Sequence, residues 1–169
     1  MRRAPLVLGA AAALLAGACA RVTPVSRPTP DGAGRIYSVA ELEFQAPADW
    51  RADGSPREVK LASPAGDAVL EVRATAVPGP AGACLSRAED SLARGAGTLD
   101  AVRRHASSFA GKKAVSQEAD QGGWHGWAWA VCDRGEQYRV WFSGRAPVSR
   151  ETIDVQRRLV ATARMGGGS

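Results

Sequence analysis

The segment Trp124–Asp133 predicts a strand that carries apolar side chains on both of its faces. Three large side chains alternate with three small ones: Trp127, Trp129 and Val131 on one face, and Ala128, Ala130 and Cys132 on the other. Because alternate residues of a strand point to opposite faces of a sheet, the chain must cover both faces of this strand. The small residues let a helix approach closely, and a helix expected to begin at Cys84 is the candidate.

The residues around this segment predict further strands. Alternating apolar and polar side chains indicate strands near residues 41–45, 59–61, 70–76 and 137–143. Residues 99–109 suit either a helix or a strand that turns at Ala110-Gly111 into another strand. The pair of strands fits the pattern that follows better than the helix does.

Two segments predict amphipathic helices. The first carries Leu85, Ala88 and Leu92 on one face, and the second begins after Ser149, which suits the N-cap position. Two helices and two apolar sheet faces predict the α+β class. The expected architecture is an α-β-α sandwich, in which helices cover both faces of one antiparallel sheet.

The first 18 residues have the order of a secretory signal peptide. Arg2 and Arg3 supply positive charge, residues 6–15 form an uncharged apolar run, and small residues follow at 16–20. A membrane span needs about 20 strongly apolar residues, so this run is too short to be one. The sequence therefore predicts export with residues 1–18 removed.

The end of this signal peptide resembles the lipobox of bacterial lipoproteins, in which a cysteine is lipidated and becomes the first residue. Here that residue is Cys19. The strongest lipoboxes place Leu three positions before the cysteine, and this chain has Ala16 there. Cleavage by ordinary signal peptidase after Ala18 or Ala20 is the alternative.

Residues 19–35 favour the lipid-anchored alternative. The segment contains five helix-breaking residues: Pro24, Pro28, Pro30, Gly32 and Gly34. Such a composition predicts a semi-extended tether between a lipid anchor and a domain. One globular domain is expected at residues 36–164, followed by a flexible tail at 165–169.

Cys84 and Cys132 remain as a pair whether the chain is lipidated at Cys19 or cleaved after Ala20. Disulfides persist in the oxidising compartments that exported proteins reach, so a structural disulfide between these two residues is expected. The chain has no CxxC pattern and two histidines, so no metal site is predicted.

The charge pattern and the motifs exclude several functions. The formal net charge is +5, and the basic residues occur as short pairs separated by acids, so nucleic acid is not an expected partner. No GxSxG, HExxH, P-loop, GxGxxG or SxxK motif is present. No catalytic residue and no cofactor are therefore predicted.

The predicted hairpin at residues 124–143 offers one ligand patch, made of His125, Trp127, Trp129 and Trp141. The first three share one face of their strand, and an aromatic platform beside a histidine suits a small ligand. The alternative is that these indoles fill the core, since large aromatic side chains need burial.

The order of elements and the motif Phe44-x-x-Pro47-x-x-Trp50 resemble the PsbP-like family over roughly residues 36–164. This family contains extrinsic photosystem subunits and bacterial envelope proteins. The resemblance implies a binding or assembly factor without catalytic residues, and no family site can be matched residue by residue.

The sequence thus predicts an exported, lipid-anchored envelope protein that acts as a non-catalytic binding or assembly module. Its expected partners are the membrane, through the lipid, and an envelope protein of unknown identity. Ala20, in place of an inner-membrane retention Asp, indicates the periplasmic side of the outer membrane; otherwise the protein is periplasmic or secreted. The alternative function is small-molecule binding or hydrolysis in a cleft near the Trp-rich hairpin.

Overall fold

The computed structural model describes residues 24–95 and 101–166, which form eleven strands and two helices. In chain order these are β1 (Ser26–Pro28), β2 (Gly34–Val39), β3 (Leu42–Pro47), β4 (Arg51–Ser55), β5 (Glu58–Ala62), β6 (Ala68–Ala76), α1 (Ala81–Gly95), β7 (Ala101–Phe109), β8 (Lys112–Gln121), β9 (Trp124–Asp133), β10 (Glu136–Arg145), α2 (Arg150–Thr162) and β11 (Arg164–Met165). The predicted signal peptide, Cys19 and residues 167–169 lie outside the described residues, so export and lipidation stay predictions.

Seven strands form one antiparallel sheet in the order β4-β5-β6-β10-β9-β8-β7. Helix α1 packs on one face of this sheet, where Ala88 and Leu92 contact the small residues Ala128 and Ala130. All four side chains are buried. The prediction that the small-residue face of β9 receives this helix is confirmed.

A second, four-stranded antiparallel sheet covers the other face of the large sheet. Its strand order is β1-β2-β3-β11. The inward side chains of the two sheets form one core, which includes Tyr37, Val39, Leu42 and Phe44 from the small sheet and Leu70, Val72, Val140 and Phe142 from the large one. The layers are therefore helix, sheet and sheet.

The predicted α-β-α sandwich, with helices over both faces of a single sheet, is wrong. The error arises because the prediction assigns residues 19–35 to a tether and therefore counts a single strand before Pro47. In the structure β2 and β3 form a hairpin with an apolar inner face, and β1 pairs with β2. This hairpin takes the place over the large sheet that the prediction assigns to a helix.

Helix α2 packs against the small sheet, beside β3. The Ser149 hydroxyl caps it by accepting a hydrogen bond from the Thr152 amide at 3.1 Å, as the sequence predicts. Leu159 enters the shared core with no exposed surface. The Thr162 hydroxyl accepts a hydrogen bond from the Gln45 amide at 3.2 Å and so ties the end of the helix to β3.

Candidate functional site

The turn between β9 and β10 decides where the predicted ligand patch lies. It has two residues, Arg134-Gly135, with positive φ values of 47° and 78°. Such a turn fixes the register of the two strands, and it places Trp141 opposite Ala128. Trp141 is therefore on the face that α1 covers, whereas Trp127 and Trp129 are on the face of the large core.

The structure brings His125, Trp127 and Trp129 together on one face of β9 and leaves Trp141 apart from them. Trp129 is 8% exposed, and its ring lies 5.4 Å from that of Phe109. Trp127 packs against Phe142 with ring centroids 5.9 Å apart. Trp129 therefore belongs to the core, and Trp127, which is partly buried, packs against it.

His125 ends this row of aromatic rings. Its imidazole lies edge-on to Trp127, with ring centroids 4.3 Å apart, and its Nδ1 is 2.6 Å from Oδ1 of Asp120. Within the part of the chain that the structure describes, the other ring nitrogen of His125 has no hydrogen-bond partner. The contact with Asp120 therefore orients the imidazole.

Trp141 lies on the opposite face, over Gly126 of the neighbouring strand. A Cβ added at Gly126 would lie 2.7 Å from Cζ2 of Trp141, closer than real Cβ contacts allow. The glycine therefore leaves the space in which the indole covers β9. Trp141 stays half-buried and packs against the cluster that holds α1 to the sheet.

An open cleft of about 370 Å³ lies beside α1 on this face of the large sheet. We name it the Trp141 cleft. Six of its lining residues matter for its chemistry: Ser91 and Leu92 of α1, Glu71 of β6, Gln117 of β8, and Arg139 and Trp141 of β10. Its volume is in the range that small-ligand sites occupy, about 300–1,000 Å³.

Two acid side chains of the cleft are already neutralised. Nζ of Lys60 lies 2.7 Å from a carboxylate oxygen of Glu71, and this hydrogen bond raises the pKa of Lys60. Arg73 pairs with Glu58 at 2.6 Å, and that contact raises the pKa of Arg73. The two carboxylates therefore add little net negative charge to the cleft.

Arg139 keeps an unpaired charge. Among the described residues it has no ion pair or hydrogen bond, and the register of β10 and β6 places it directly opposite Arg73. Arg73 itself is paired with Glu58, so its charge is compensated while that of Arg139 is not. Arg139 therefore gives the cleft an uncompensated positive charge.

Gln117 gives the cleft oriented hydrogen-bond donors. The residue is 2% exposed, and its Oε1 accepts a hydrogen bond from Nε of Arg104 at 2.9 Å. Since arginine only donates, this contact fixes which end of the amide is oxygen. The amide nitrogen has no partner among the described residues, so its two N–H groups remain available.

The predicted disulfide is present and fixes one wall of the cleft. Cys84 of α1 is joined to Cys132 of β9, with their Cα atoms 6.2 Å apart. The Trp141 cleft is not predicted from the sequence, because the predicted ligand patch groups Trp141 with the other indoles. The signal was available, since a two-residue turn at Arg134-Gly135 would have put Trp141 on the small-residue face.

Neither a metal-binding cluster nor a membrane-spanning helix is present in residues 24–95 and 101–166. No group of three or more His, Cys, Asp or Glu residues in these ranges could hold a metal ion. Likewise, none of the helices described here is long and apolar enough to cross a bilayer.

Solved structures with low sequence identity share this fold. The solution structure of cyanobacterial PsbP (CyanoP) from Synechocystis sp. PCC 6803 has a TM-score of 0.54 and 13% identity, over 88% of this chain and 96% of that one. A crystal structure from Bacteroides thetaiotaomicron gives a TM-score of 0.54 and 10% identity over 87% of this chain, which spans about half (49%) of that protein.

A third structure is LpqN of Mycobacterium tuberculosis, described as involved in cell envelope biogenesis, with a TM-score of 0.47, 13% identity, and coverage of 86% of this chain and 90% of that one. No family model and no curated protein matches this sequence. The likeness to CyanoP shows a PsbP-like fold, which the sequence motif predicts, although the layers differ from the expected sandwich.

Proposed function

We propose that this protein is exported, anchored by a lipid on Cys19, and acts in the bacterial cell envelope as a non-catalytic binding or assembly module. The order of charge, apolar run and small residues at 1–20 supports export. The proposed location is the periplasmic side of the outer membrane. The membrane, which the chain contacts through the lipid, is one proposed partner, and an envelope protein is the second.

The disulfide between Cys84 and Cys132 carries this proposal. Disulfides persist in oxidising compartments and are rare in the cytosol, so the bond supports an address outside the cytoplasm. It also joins α1 to the large sheet beside an open cleft. A wall held in place before binding lowers the entropic cost of capturing a partner, which suits a binding module.

The PsbP-like fold supports the same class of function, because the family resemblance implies binding and assembly roles. Small-molecule binding near the Trp-rich hairpin is a second candidate. The Trp141 cleft favours it, since a concave site with an indole, an unpaired cation and free amide donors suits a small polar ligand.

Metabolic labelling with a fatty-acid analogue tests the proposed anchor. The wild type should be labelled and should fractionate with membranes, whereas Cys19→Ser should be unlabelled. Cys84→Ser is the matched control, and it should keep the label because it leaves the lipobox intact. An unlabelled wild type in the soluble envelope fraction would show that ordinary signal peptidase cuts this chain.

A further inference from the structure

We propose that the Trp141 cleft binds a carboxylated sugar unit. This inference deepens the proposed function and rests on it for the compartment, where bacterial glycans bearing carboxylates occur. The ligand would lie on the indole of Trp141, place its carboxylate at Arg139, and direct hydroxyl groups to the polar side chains of the cleft wall.

Trp141 supplies the surface for the sugar ring. Because Gly126 lacks a side chain, the indole spreads over β9 and lines the cleft while it remains half-buried. The face of an aromatic ring carries partial negative charge, which attracts the positively polarised C–H groups on the flat side of a pyranose. An indole held by packing presents this face without a large entropic cost.

Arg139 supplies the site for the carboxylate. A guanidinium donates two parallel hydrogen bonds to a carboxylate, and here no described side chain occupies those donors. Arg73, opposite Arg139, is already paired with Glu58, so Arg139 is the cation of the cleft that remains for an anionic ligand.

The remaining polar groups suit hydroxyls. The free amide N–H groups of Gln117 donate, the Glu71 carboxylate accepts, and the Ser91 hydroxyl does either. A sugar offers neighbouring hydroxyls that both donate and accept. A lipid chain would leave these cleft groups unpaired, which is costly for polar groups removed from water.

Ligand titrations followed by NMR of the tryptophan indole N–H groups test this site. The protein is expressed from its full sequence and purified from the cell fraction that contains it. Two matched pairs of probes are used: N-acetylmuramic acid against N-acetylglucosamine, and glucuronic acid against glucose. The two acids distinguish a cell-wall source from a uronic acid source, and lactate tests for binding of a carboxylate without the ring.

At least one acidic sugar should shift the Trp141 signal, assigned with Trp141→Phe, and should bind about tenfold or more tightly than its neutral partner. Arg139→Gln should remove that preference while its Tm stays nearly unchanged, because Arg139 is exposed and makes no ion pair or hydrogen bond among the described residues. Arg145→Gln changes an exposed arginine of the same strand outside the cleft and should bind like the wild type.

Three results would overturn the inference. These are equal affinity for acidic and neutral sugars, lactate binding as tightly as the acidic sugar, and a preference for the acidic sugar that persists in Arg139→Gln. The absence of any shift at Trp141 would overturn it too. None of these results affects the labelling of Cys19, so failure of the ligand assignment and failure of the proposed anchor can be told apart.

Discussion

Removal of the disulfide should lower the free energy of unfolding of the domain by an amount that depends on the length of the loop that the disulfide closes. Cys84 and Cys132 are separated by 48 residues. In the chain-entropy model, a bond that closes a loop of this length stabilises the folded state by about 4 kcal/mol. For a domain of this size that corresponds to a fall in Tm of about 8–16 °C.

The structure also indicates where the loss appears first. Apart from the disulfide, α1 is held by a small cluster in which Ala88 and Leu92 contact Ala128 and Ala130, and the partly buried Val115 and Trp141 pack against it. Three of the four buried residues are alanines, which bury little apolar area. The amide hydrogens of α1 should therefore exchange faster in the double variant Cys84→Ala with Cys132→Ala, while those of β6 and β10 change less.

Urea denaturation of the wild type and of the double variant, each with and without a reductant, measures the effect. The reductant should destabilise the wild type and leave the double variant unchanged, since the variant has no bond to reduce. A wild type whose stability changes by less than about 1 kcal/mol on reduction would refute the loop-closure argument.

Two further substitutions test the core and the small sheet. Trp129→Ala should cost about 3–5 kcal/mol in urea denaturation, because it empties a buried site beside Phe109; a cost below about 1 kcal/mol would show that the indole is not a core residue. Hydrogen bonds from Arg164, together with the charge of Arg27, lower the pKa of Glu43. The ionised carboxylate therefore stabilises the folded state at pH values above the usual pKa of glutamate. Glu43→Gln should therefore be less stable than the wild type at neutral pH, and the difference should shrink as the pH falls below about 4; a difference independent of pH would contradict this.

The elements that the sequence predicts correctly are those with strong local signals. The apolar alternation of Trp124–Asp133 gives β9 with the bounds that the structure has. The Ser149 cap gives the start of α2, and the small residues of β9 indicate where α1 packs. In each case the physical cause lies within a few neighbouring residues.

The small sheet is missed because its edge carries the residues that also mark a linker. Pro28 ends β1, and a proline is tolerated there because β1 is an edge strand. Gly34 begins β2, where a Cβ would lie 2.7 Å from the carbonyl oxygen of Ala46. The close approach of two backbones, and not flexibility, explains why a glycine stands at this position. A glycine of this kind is distinguished from a linker glycine only by the pairing of β2 with β3.

The candidate site is missed for a similar reason. Arg139 and Gln117 are ordinary polar residues of exposed strand faces until the register places them beside α1. Their role depends on which charges are already paired, such as Arg73 with Glu58. A sequence pattern indicates which face of the sheet a residue occupies, but it does not show whether the neighbouring charges are already paired.

The intact mass of the protein purified from its own envelope tests the proposed identity most directly. We expect a chain that begins at Cys19, carries lipid on that residue, and lacks the thiol hydrogens of Cys84 and Cys132. A chain that begins at Cys19 or Arg21 without lipid, or one whose two remaining cysteines are free thiols, would contradict it.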